Sequence, residues 1–264
     1  MQDGTLTSKI HPVTMDGSPL LALLRVRPPT FPGAEIYPQR RIKMARAGSS
    51  RRANWRAPQT PVGGLAKRAI DVALASAMLL LMLPIMTITA LLIRLLIGSP
   101  IIFRHERIGF AGKAFPCLKF RTMAVNADDI LRQHLATNPD AAREWRETRK
   151  LMNDPRVNCL GRMLRKSSLD ELPQLINVIR GDMSLVGPRP VVADELDRYG
   201  RHEAAYLSAR PGITGLWQTS GRNLLGYSTR INLDRCYTRH WSIWLDFILL
   251  LKTVPAVLNF RETA

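Results

Sequence analysis

The longest apolar run in the chain covers residues 72–93, which carry no charged side chain. A helix of about 22 residues is long enough to cross the hydrocarbon core of a bilayer. Pro84 lies near the middle of the run, where it interrupts the helical hydrogen bonds and predicts a bend. Basic residues flank the run on both sides, and such residues prefer the cytoplasmic side of a membrane. A hairpin that enters and leaves by one leaflet keeps both flanks on that side. The pattern therefore favours a re-entrant hairpin over a straight transmembrane helix.

A second, shorter pattern lies in the centre of the chain. Leucine and isoleucine recur at helical spacing over residues 172–179, and a glycine ends the run. Ser168 and Glu171 form a capping-box sequence, which predicts an amphipathic helix that begins near Leu169. Asp170 and Glu171 then lie in the first turn, where free backbone N–H groups and the helix dipole favour the ionised carboxylates.

The remaining patterns predict a mixture of strands and helices. Two short extended segments, residues 101–107 and 114–121, flank a glycine-containing basic turn. Residues 127–150 are rich in charged side chains and predict an exposed or interfacial helix pair, broken near Pro139. Residues 241–260 form a second apolar stretch, which fits an amphipathic helix on the membrane surface or a buried core helix. Together these elements predict an α+β fold that is mostly helical.

Composition adds charge and compartment to this picture. The chain has 264 residues, 46% of them apolar, which is compatible with a folded core. Its formal net charge of +17 admits nucleic acid, anionic lipid or phosphorylated small molecules as partners. Cys117, Cys159 and Cys236 are widely separated and follow no disulfide or zinc spacing. We therefore expect reduced thiols in contact with the cytoplasm.

The same patterns divide the chain into three parts. Residues 1–64 are rich in proline and arginine and are predicted to be a disordered basic tail. Such a tail is either a solvated segment or a segment that binds an anionic leaflet. Residues 65–98 hold the predicted membrane hairpin, and residues 99–264 hold the predicted cytosolic and interfacial catalytic domain.

Candidate chemistry concentrates around the two adjacent carboxylates, Asp170 and Glu171. An ionised carboxylate beside cations can act as a nucleophile or as a metal ligand. Arg165 and Lys166 lie just upstream and add positive charge suited to a polyanion such as a diphosphate. Arg189 lies between two prolines in a rigid corner, which suits phosphate binding or is simply a structural elbow. Taken alone, the capping-box sequence is more often only the start of a helix.

Five sequence blocks, taken together, are more specific than any single residue. They are KRAIDVALA (67–75), FRHERIGFAGKAF (103–115), LKFRTM (118–123), SSLDELPQLINVIRGDMSLVGPRP (167–190) and ARPGITGLWQTSGR (209–222). In this order they closely resemble the bacterial sugar transferases, also called polyprenyl-phosphate sugar-1-phosphate transferases.

The resemblance implies an activity and a location. The expected reaction transfers hexose-1-phosphate, galactose or glucose, from a UDP-sugar to undecaprenyl phosphate and releases UMP. This would be the first step of exopolysaccharide or other surface polysaccharide synthesis. The expected location is the cytoplasmic face of the bacterial inner membrane, in contact with membrane lipids. Small members of the family are monotopic, with one proline-broken re-entrant helix. Here Leu83 precedes Pro84, so a serine-proline form of the break is missing.

The resemblance also implies roles for single residues. Asp170 would attack the sugar-bearing phosphate and form a covalent phosphosugar intermediate, which the lipid phosphate then displaces. Glu171 would assist, and Mg²⁺ held by Asp170 and Glu171 would neutralise the diphosphate. Eight basic residues are the candidates for binding substrate phosphates: Arg104, Arg107, Lys119, Arg121, Arg165, Lys166, Arg189 and Arg222.

Three other classes of function fit part of the sequence. A catalytically silent membrane scaffold of the same fold, which would regulate polysaccharide assembly, is the main alternative. A conventional glycosyltransferase would release nucleoside diphosphate instead of monophosphate. A nucleic-acid-binding protein fits the charge, but the sequence has no recognisable reader motif, so we expect no nucleic-acid partner. The sequence leaves open the sugar, the polysaccharide and whether the chain forms a homo-oligomer.

Overall fold

The computed structural model describes residues 58–148, 151–220 and 226–258, and the elements below lie within them. The predicted basic tail falls outside the described residues, apart from residues 58–64. Helices dominate, and two small sheets accompany them. The predicted α+β, mostly helical architecture is confirmed at this level.

The first helix, α1 (Gly64–Leu96), is 33 residues long and contains Pro84. Among the described residues it is the one helix that is long and apolar enough to cross a membrane. Leu80 and Leu81 are 75% and 70% exposed, so much of its apolar surface faces away from the protein. The predicted division into two arms is not confirmed, because the helix continues through the proline. Long apolar helices tolerate a proline where neighbouring groups replace the lost hydrogen bond.

A β-hairpin follows α1. Strand β1 (Ile102–Ile108) pairs with the antiparallel strand β2 (Ala114–Phe120), and a 3₁₀ turn (Phe110–Gly112) connects them. Phe103 lies directly opposite Lys119 in this register. The two predicted extended segments and the turn between them are confirmed.

The charged segment after the hairpin folds as two helices, α2 (Ala127–Thr137) and α3 (Pro139–Thr148). Asn138 ends the first helix in an extended conformation, as expected for the residue before a proline. The predicted break at this point is confirmed.

Two short helices then frame the centre of the chain. Helix α4 (Cys159–Lys166) begins at Asn158, whose side chain accepts a hydrogen bond from the Gly161 N–H at 2.8 Å. A 3₁₀ turn (Leu169–Glu171) leads to helix α5 (Gln174–Arg180).

A small parallel sheet lies behind α5, and the sequence analysis missed it. Strand β3 (Ser184–Val186) pairs with β4 (Gly212–Thr214). The backbones approach so closely that a Cβ on Gly212 would lie 2.1 Å from the Gly187 nitrogen. Glycine is required at this contact because any side chain would collide with the neighbouring strand.

The rest of the described chain is helical. It consists of α6 (Ala193–Leu196), a 3₁₀ segment (Asp197–His202), α7 (Glu203–Leu207), α8 (Tyr227–Arg239) and α9 (Ile243–Leu258). Helix α9 is amphipathic, since Leu245 and Leu249 are buried while Trp244 and Phe247 are 68% and 48% exposed. The amphipathic interpretation of this apolar stretch is therefore confirmed.

Two apolar clusters hold these elements together. One joins Val191 and Leu196 to Tyr199, Tyr206 and other buried side chains of α7 and α8. The other packs the end of α1 against β2 and α4. This second cluster fixes the hairpin and α4 on either side of the 3₁₀ turn that carries the carboxylates.

The start of α1 is joined to the same unit by polar contacts. Two side-chain nitrogens of Arg68 donate to the carbonyls of Val178 and Ile179 at 2.5 and 2.7 Å, which satisfies the last turn of α5. Asp71 accepts the Ser184 hydroxyl at 2.7 Å and the Leu185 N–H at 3.1 Å. At the other end of the helix, buried Ile93 belongs to the second apolar cluster. Both ends of α1 therefore contact one folded unit.

Candidate active site

The two carboxylates lie on the 3₁₀ turn between α4 and α5. Ser168 precedes them with a φ of 57°, a left-handed conformation that is uncommon outside glycine. Such strained residues often occur at functional sites, where the surrounding structure holds them. This conformation directs the chain sharply from α4 into the turn that presents Asp170 and Glu171.

The predicted capping box does not form. Within the described chain, the Ser168 side chain caps no backbone N–H, and α5 begins at Gln174 rather than near Leu169. The Glu171 carboxylate instead accepts a hydrogen bond from the Lys119 ammonium at 2.6 Å. The helix end was predicted correctly, since Gly181 terminates α5 with a φ of 93°.

Asp170 is the more buried of the two carboxylates, with only 9% of its surface exposed. Burial raises the pKa of Asp170 to about 6, and the negative charge of Glu171 adds to the effect. The nearby cations Lys119 and Arg165 oppose it. The prediction that the first turn would favour the ionised form is wrong for Asp170, because loss of solvation outweighs the cations.

Lys119 reaches Glu171 because β2 is joined to α5. The side-chain amide of buried Asn177 accepts from the Leu118 N–H and donates to the Pro116 carbonyl, both at 2.9 Å. These hydrogen bonds fix the strand against the helix. They leave the side chain of Lys119 directed toward the carboxylates.

A pocket of about 490 Å³ opens beside the carboxylates. Asp170, Glu171, Arg165 and Arg189 contribute its charged lining. Most of the remaining lining is apolar, and this part, which we call the apolar wall, includes Met78 and Met82 of α1, Leu172 and Leu175, and Leu250 of α9. The pocket thus joins a charged centre to an apolar surface beside the long helix.

Two of the predicted phosphate-binding residues lie in this pocket. Arg165 donates from Nε to the Thr122 hydroxyl at 2.9 Å, which orients its guanidinium next to Asp170. Arg189 lies over the ring of Trp217 at 5.3 Å, a cation–π arrangement, and Trp217 also lines the pocket. Together with Lys119, these two arginines surround the carboxylates with positive charge.

The other predicted basic residues lie elsewhere. Arg107 approaches Glu195 at 3.5 Å, on the same side of the hairpin as Lys119. Arg104 is exposed on the opposite side of the hairpin, and Arg121 donates to the Pro100 carbonyl at 2.7 Å. Lys166 is exposed at the end of α4, and Arg222 lies outside the described residues.

Several lining residues were not singled out from the sequence. Met78 and Met82 lie in the apolar run of α1, and Leu250 lies in that of α9. Most of their neighbours in these runs are also apolar, so nothing in the local sequence distinguishes the residues that line the pocket. Trp217 belongs to the block at residues 209–222. Its contact with Arg189 is a structural role for one residue of that block.

The carboxylate pair suits one kind of metal site. Among the described residues there is no group of three or more His, Cys, Asp or Glu side chains placed to hold a metal ion. Mg²⁺, however, is commonly bound by one or two carboxylates together with substrate phosphates. Asp170 and Glu171 fit a Mg²⁺ ion that arrives with a diphosphate, and they do not fit an all-protein metal cage.

A buried carboxylate that lies beside cations and lines a largely apolar pocket next to an apolar helix indicates a phosphotransfer enzyme that works at a membrane. Comparison with known proteins identifies the family. The family model described as "Bacterial sugar transferase" matches residues 62–260. The chain belongs to this family, and it is a phosphoglycosyl transferase.

Individual relatives agree with this assignment. The chain is 52% identical over 197 residues to the exopolysaccharide production protein ExoY of Rhizobium meliloti, covering 75% of this chain and 87% of the relative. It is 41% identical over 203 residues to the UDP-glucose:undecaprenyl-phosphate glucose-1-phosphate transferase of Caulobacter vibrioides, covering 74% and 70%. It is 53% identical over 162 residues to the undecaprenyl-phosphate galactose phosphotransferase of Salmonella typhimurium, covering 61% of this chain and 34% of that longer protein.

Proposed function

We propose that the protein transfers hexose-1-phosphate from a UDP-sugar to undecaprenyl phosphate and releases UMP, as the first step of exopolysaccharide or other surface polysaccharide synthesis. The observation that carries this proposal is the position of Asp170 between a cluster of cations and an apolar wall. A very polar sugar nucleotide and a very apolar lipid must meet at one phosphorus, and this site offers each of them a matching surface.

The first step follows from the position of Asp170. Its ionised carboxylate attacks the sugar-bearing phosphorus, a new P–O bond to the carboxylate forms, and the bond to UMP breaks with its electron pair leaving on UMP. Arg165, Arg189 and Lys119 balance the phosphate charges during the approach of one anion to another. When bound, Mg²⁺ at Asp170 and Glu171 would supply further neutralisation of the diphosphate.

The second step regenerates the enzyme. A phosphate oxygen of undecaprenyl phosphate attacks the same phosphorus and expels the Asp170 carboxylate. The product is a lipid-linked diphosphosugar. The Lys119 ammonium holds Glu171 beside Asp170 during the first step, and Glu171 assists without itself forming a covalent bond.

The proposed acceptor requires an anchor that keeps the site at the membrane surface. Two observations support a re-entrant α1 on the cytoplasmic face of the bacterial inner membrane. The start of α1, through Asp71, and its end, through Ile93, contact the same folded unit. A straight span would place about 30 Å of hydrocarbon between those ends. Both flanks are also basic, in agreement with one cytoplasmic side.

The transferred hexose is galactose or glucose, since the relative from Salmonella typhimurium is named for galactose transfer and the relative from Caulobacter vibrioides for glucose transfer.

Product analysis tests the reaction class. The protein in lipid discs with Mg²⁺ and undecaprenyl phosphate would be given UDP-galactose or UDP-glucose, and released UMP and UDP would be measured separately. The proposal predicts that one of these sugar donors gives repeated turnover to UMP, beyond one equivalent per protein, only when undecaprenyl phosphate is present. Release of UDP would indicate ordinary glycosyl transfer, and no release from either sugar donor would favour the silent scaffold.

A further inference from the structure

One face of the β-hairpin is joined to the carboxylates through Lys119. Side chains on a strand alternate between faces, so Phe103, His105 and Arg107 of β1 share the face on which Lys119 of β2 lies. We call these four residues the hairpin face. Lys119 joins the face to the active site through its 2.6 Å contact with Glu171.

The hairpin face is ordered by contacts among its own members. The Arg107 guanidinium lies 3.4 Å from His105 Nδ1 and 3.5 Å from Glu195. The rings of His105 and Phe103 meet edge to face, with centroids 5.9 Å apart. Phe103 is nonetheless 47% exposed, which leaves a large part of an aromatic ring uncovered beside Lys119.

His105 gives this face a neutral hydrogen-bond donor. Burial and the nearby cations Arg107 and Lys119 lower the pKa of His105, so the imidazole is neutral at pH 7. Because Nδ1 accepts from the Arg107 guanidinium, the proton lies on Nε2. A neutral imidazole is poorly suited to bind phosphate, but its N–H is well suited to donate to a carbonyl.

The side chains along the hairpin face follow the same order as the parts of a nucleotide, from phosphate to base. Lys119 lies where the diphosphate must reach Asp170, an exposed aromatic ring lies directly across the strand pair, and a neutral N–H donor lies next to the ring. Aromatic rings bind nucleobases by stacking, and polar groups beside them distinguish the base edges.

We propose that the hairpin face is the binding site for the nucleoside of the sugar donor, in which Phe103 stacks on the base and His105 Nε2–H donates to a base carbonyl. This inference rests on the proposed function, since it concerns the sugar donor of that reaction. It assigns to Phe103 and His105 a role in base selection. Arg107 holds the imidazole in the required tautomer and is therefore a positioning residue.

Steady-state kinetics with both substrates test the role of Phe103. Phe103→Leu keeps an apolar side chain and removes the aromatic plane, and it is expected to raise the KM for the UDP-sugar about tenfold, the lower part of the range for lost base stacking. Phe103→Tyr keeps the plane and should restore the wild-type KM. The KM for undecaprenyl phosphate should not change in either variant.

The role of His105 is tested by base discrimination. His105→Ala is expected to lower the preference for UDP-sugar over the ADP-sugar with the same hexose, because the donor to the uracil carbonyl is lost. His105→Gln places an amide N–H near the position of Nε2 and should retain most of the preference. Glu106→Ala, on the opposite face of the same strand, is the matched control and should match the wild type.

The outcomes separate this inference from the proposed function. If wild-type protein releases UMP but Phe103→Leu keeps its KM for the UDP-sugar, the nucleoside site is wrong while the reaction stands. If Phe103→Leu instead raises the KM for undecaprenyl phosphate, the exposed ring contacts lipid, which also overturns the inference. If the wild-type protein releases no UMP, the proposed function itself fails. Direct titration with UMP then decides the inference alone, since wild type should bind UMP more tightly than Phe103→Leu.

Discussion

The apolar wall and the hairpin face approach the same two carboxylates with opposite chemistry. The apolar wall combines Leu172 and Leu175 with Met82 of α1 and Leu250 of α9, two helices that expose many apolar side chains. The hairpin face consists of cations, a histidine and one aromatic ring on a strand pair. The contrast matches the contrast between a polyprenyl phosphate and a sugar nucleotide. A site that binds two such substrates one after the other can keep one surface polar and the other apolar.

The comparison also explains why Asp170 lies where it does. The residue is buried on the line where the two surfaces meet, and its pKa is raised to about 6 by that burial. A carboxylate exposed on the polar side would be stable as an anion but remote from the lipid. In the proposed mechanism, the raised pKa of Asp170 is thus a consequence of placing this carboxylate within reach of both substrates.

The largest effect on transfer is expected from a change to Asp170, because both substrates are proposed to react at that carboxylate. Asp170→Asn keeps the size of the side chain but removes the nucleophile, so transfer should fall by at least about 10³-fold, measured as UMP release. The thermal midpoint serves as the control for folding. Turnover close to wild type would show that Asp170 does not attack phosphorus.

A change at the polar side should affect one substrate. Lys119→Met removes the ammonium that contacts Glu171 and balances the diphosphate, so kcat/KM for the UDP-sugar should fall on the order of 100-fold. Lys119→Arg keeps the charge and should retain more activity. Equal losses for the sugar donor and for undecaprenyl phosphate would argue against separate surfaces.

A change at the apolar wall should instead affect the lipid substrate, and the effect on kinetics should be smaller. Met82→Gln places an amide against the lipid path and should raise the KM for undecaprenyl phosphate about tenfold. Met82→Leu, which keeps the apolar surface, is the matched control. If the KM for the UDP-sugar rises instead, the apolar wall does not receive the lipid.

The smallest effect is expected from pH. The nucleophile must be ionised, and the pKa of Asp170 is raised from 3.8 to about 6, so kcat/KM for the sugar donor should fall severalfold between pH 7 and pH 5.5. Lowering the pH has the opposite effect on folding stability. A carboxyl with a raised folded pKa costs stability above that pKa, by at most about 3 kcal/mol here, and the cost fades as pH falls toward 3.8.

Comparing Asp170→Asn with wild type in urea at pH 7.5 and pH 5 measures this stability effect. The variant should be the more stable protein at pH 7.5, and its advantage should shrink at pH 5. An advantage that is the same at both pH values would show that burial does not raise the pKa of Asp170.

Much of this arrangement follows from local sequence. The hairpin, the helix pair broken at Pro139 and the amphipathic α9 follow from periodicity, proline and glycine, which act over a few residues. The five blocks identified the family and placed Asp170 and Glu171 in the site. These features need no knowledge of distant contacts.

The parts that were missed depend on contacts between distant residues. Glu171 contacts Lys119, 52 positions earlier, in preference to the backbone N–H of its own turn, so the capping box does not form. The parallel pairing of β3 with β4 brings glycines together across nearly thirty positions. The pKa of Asp170 depends on its burial in the folded chain, whereas the sequence shows only its charged neighbours.

The most direct test of the two-step account is a rapid-quench experiment with the sugar donor alone, in the absence of undecaprenyl phosphate. The account predicts a burst of UMP that approaches one equivalent per protein and a phosphosugar mass on the peptide that contains Asp170. The absence of UMP until lipid is added, with no mass on that peptide, would mean that the lipid phosphate attacks the sugar donor directly and that Asp170 is not the nucleophile.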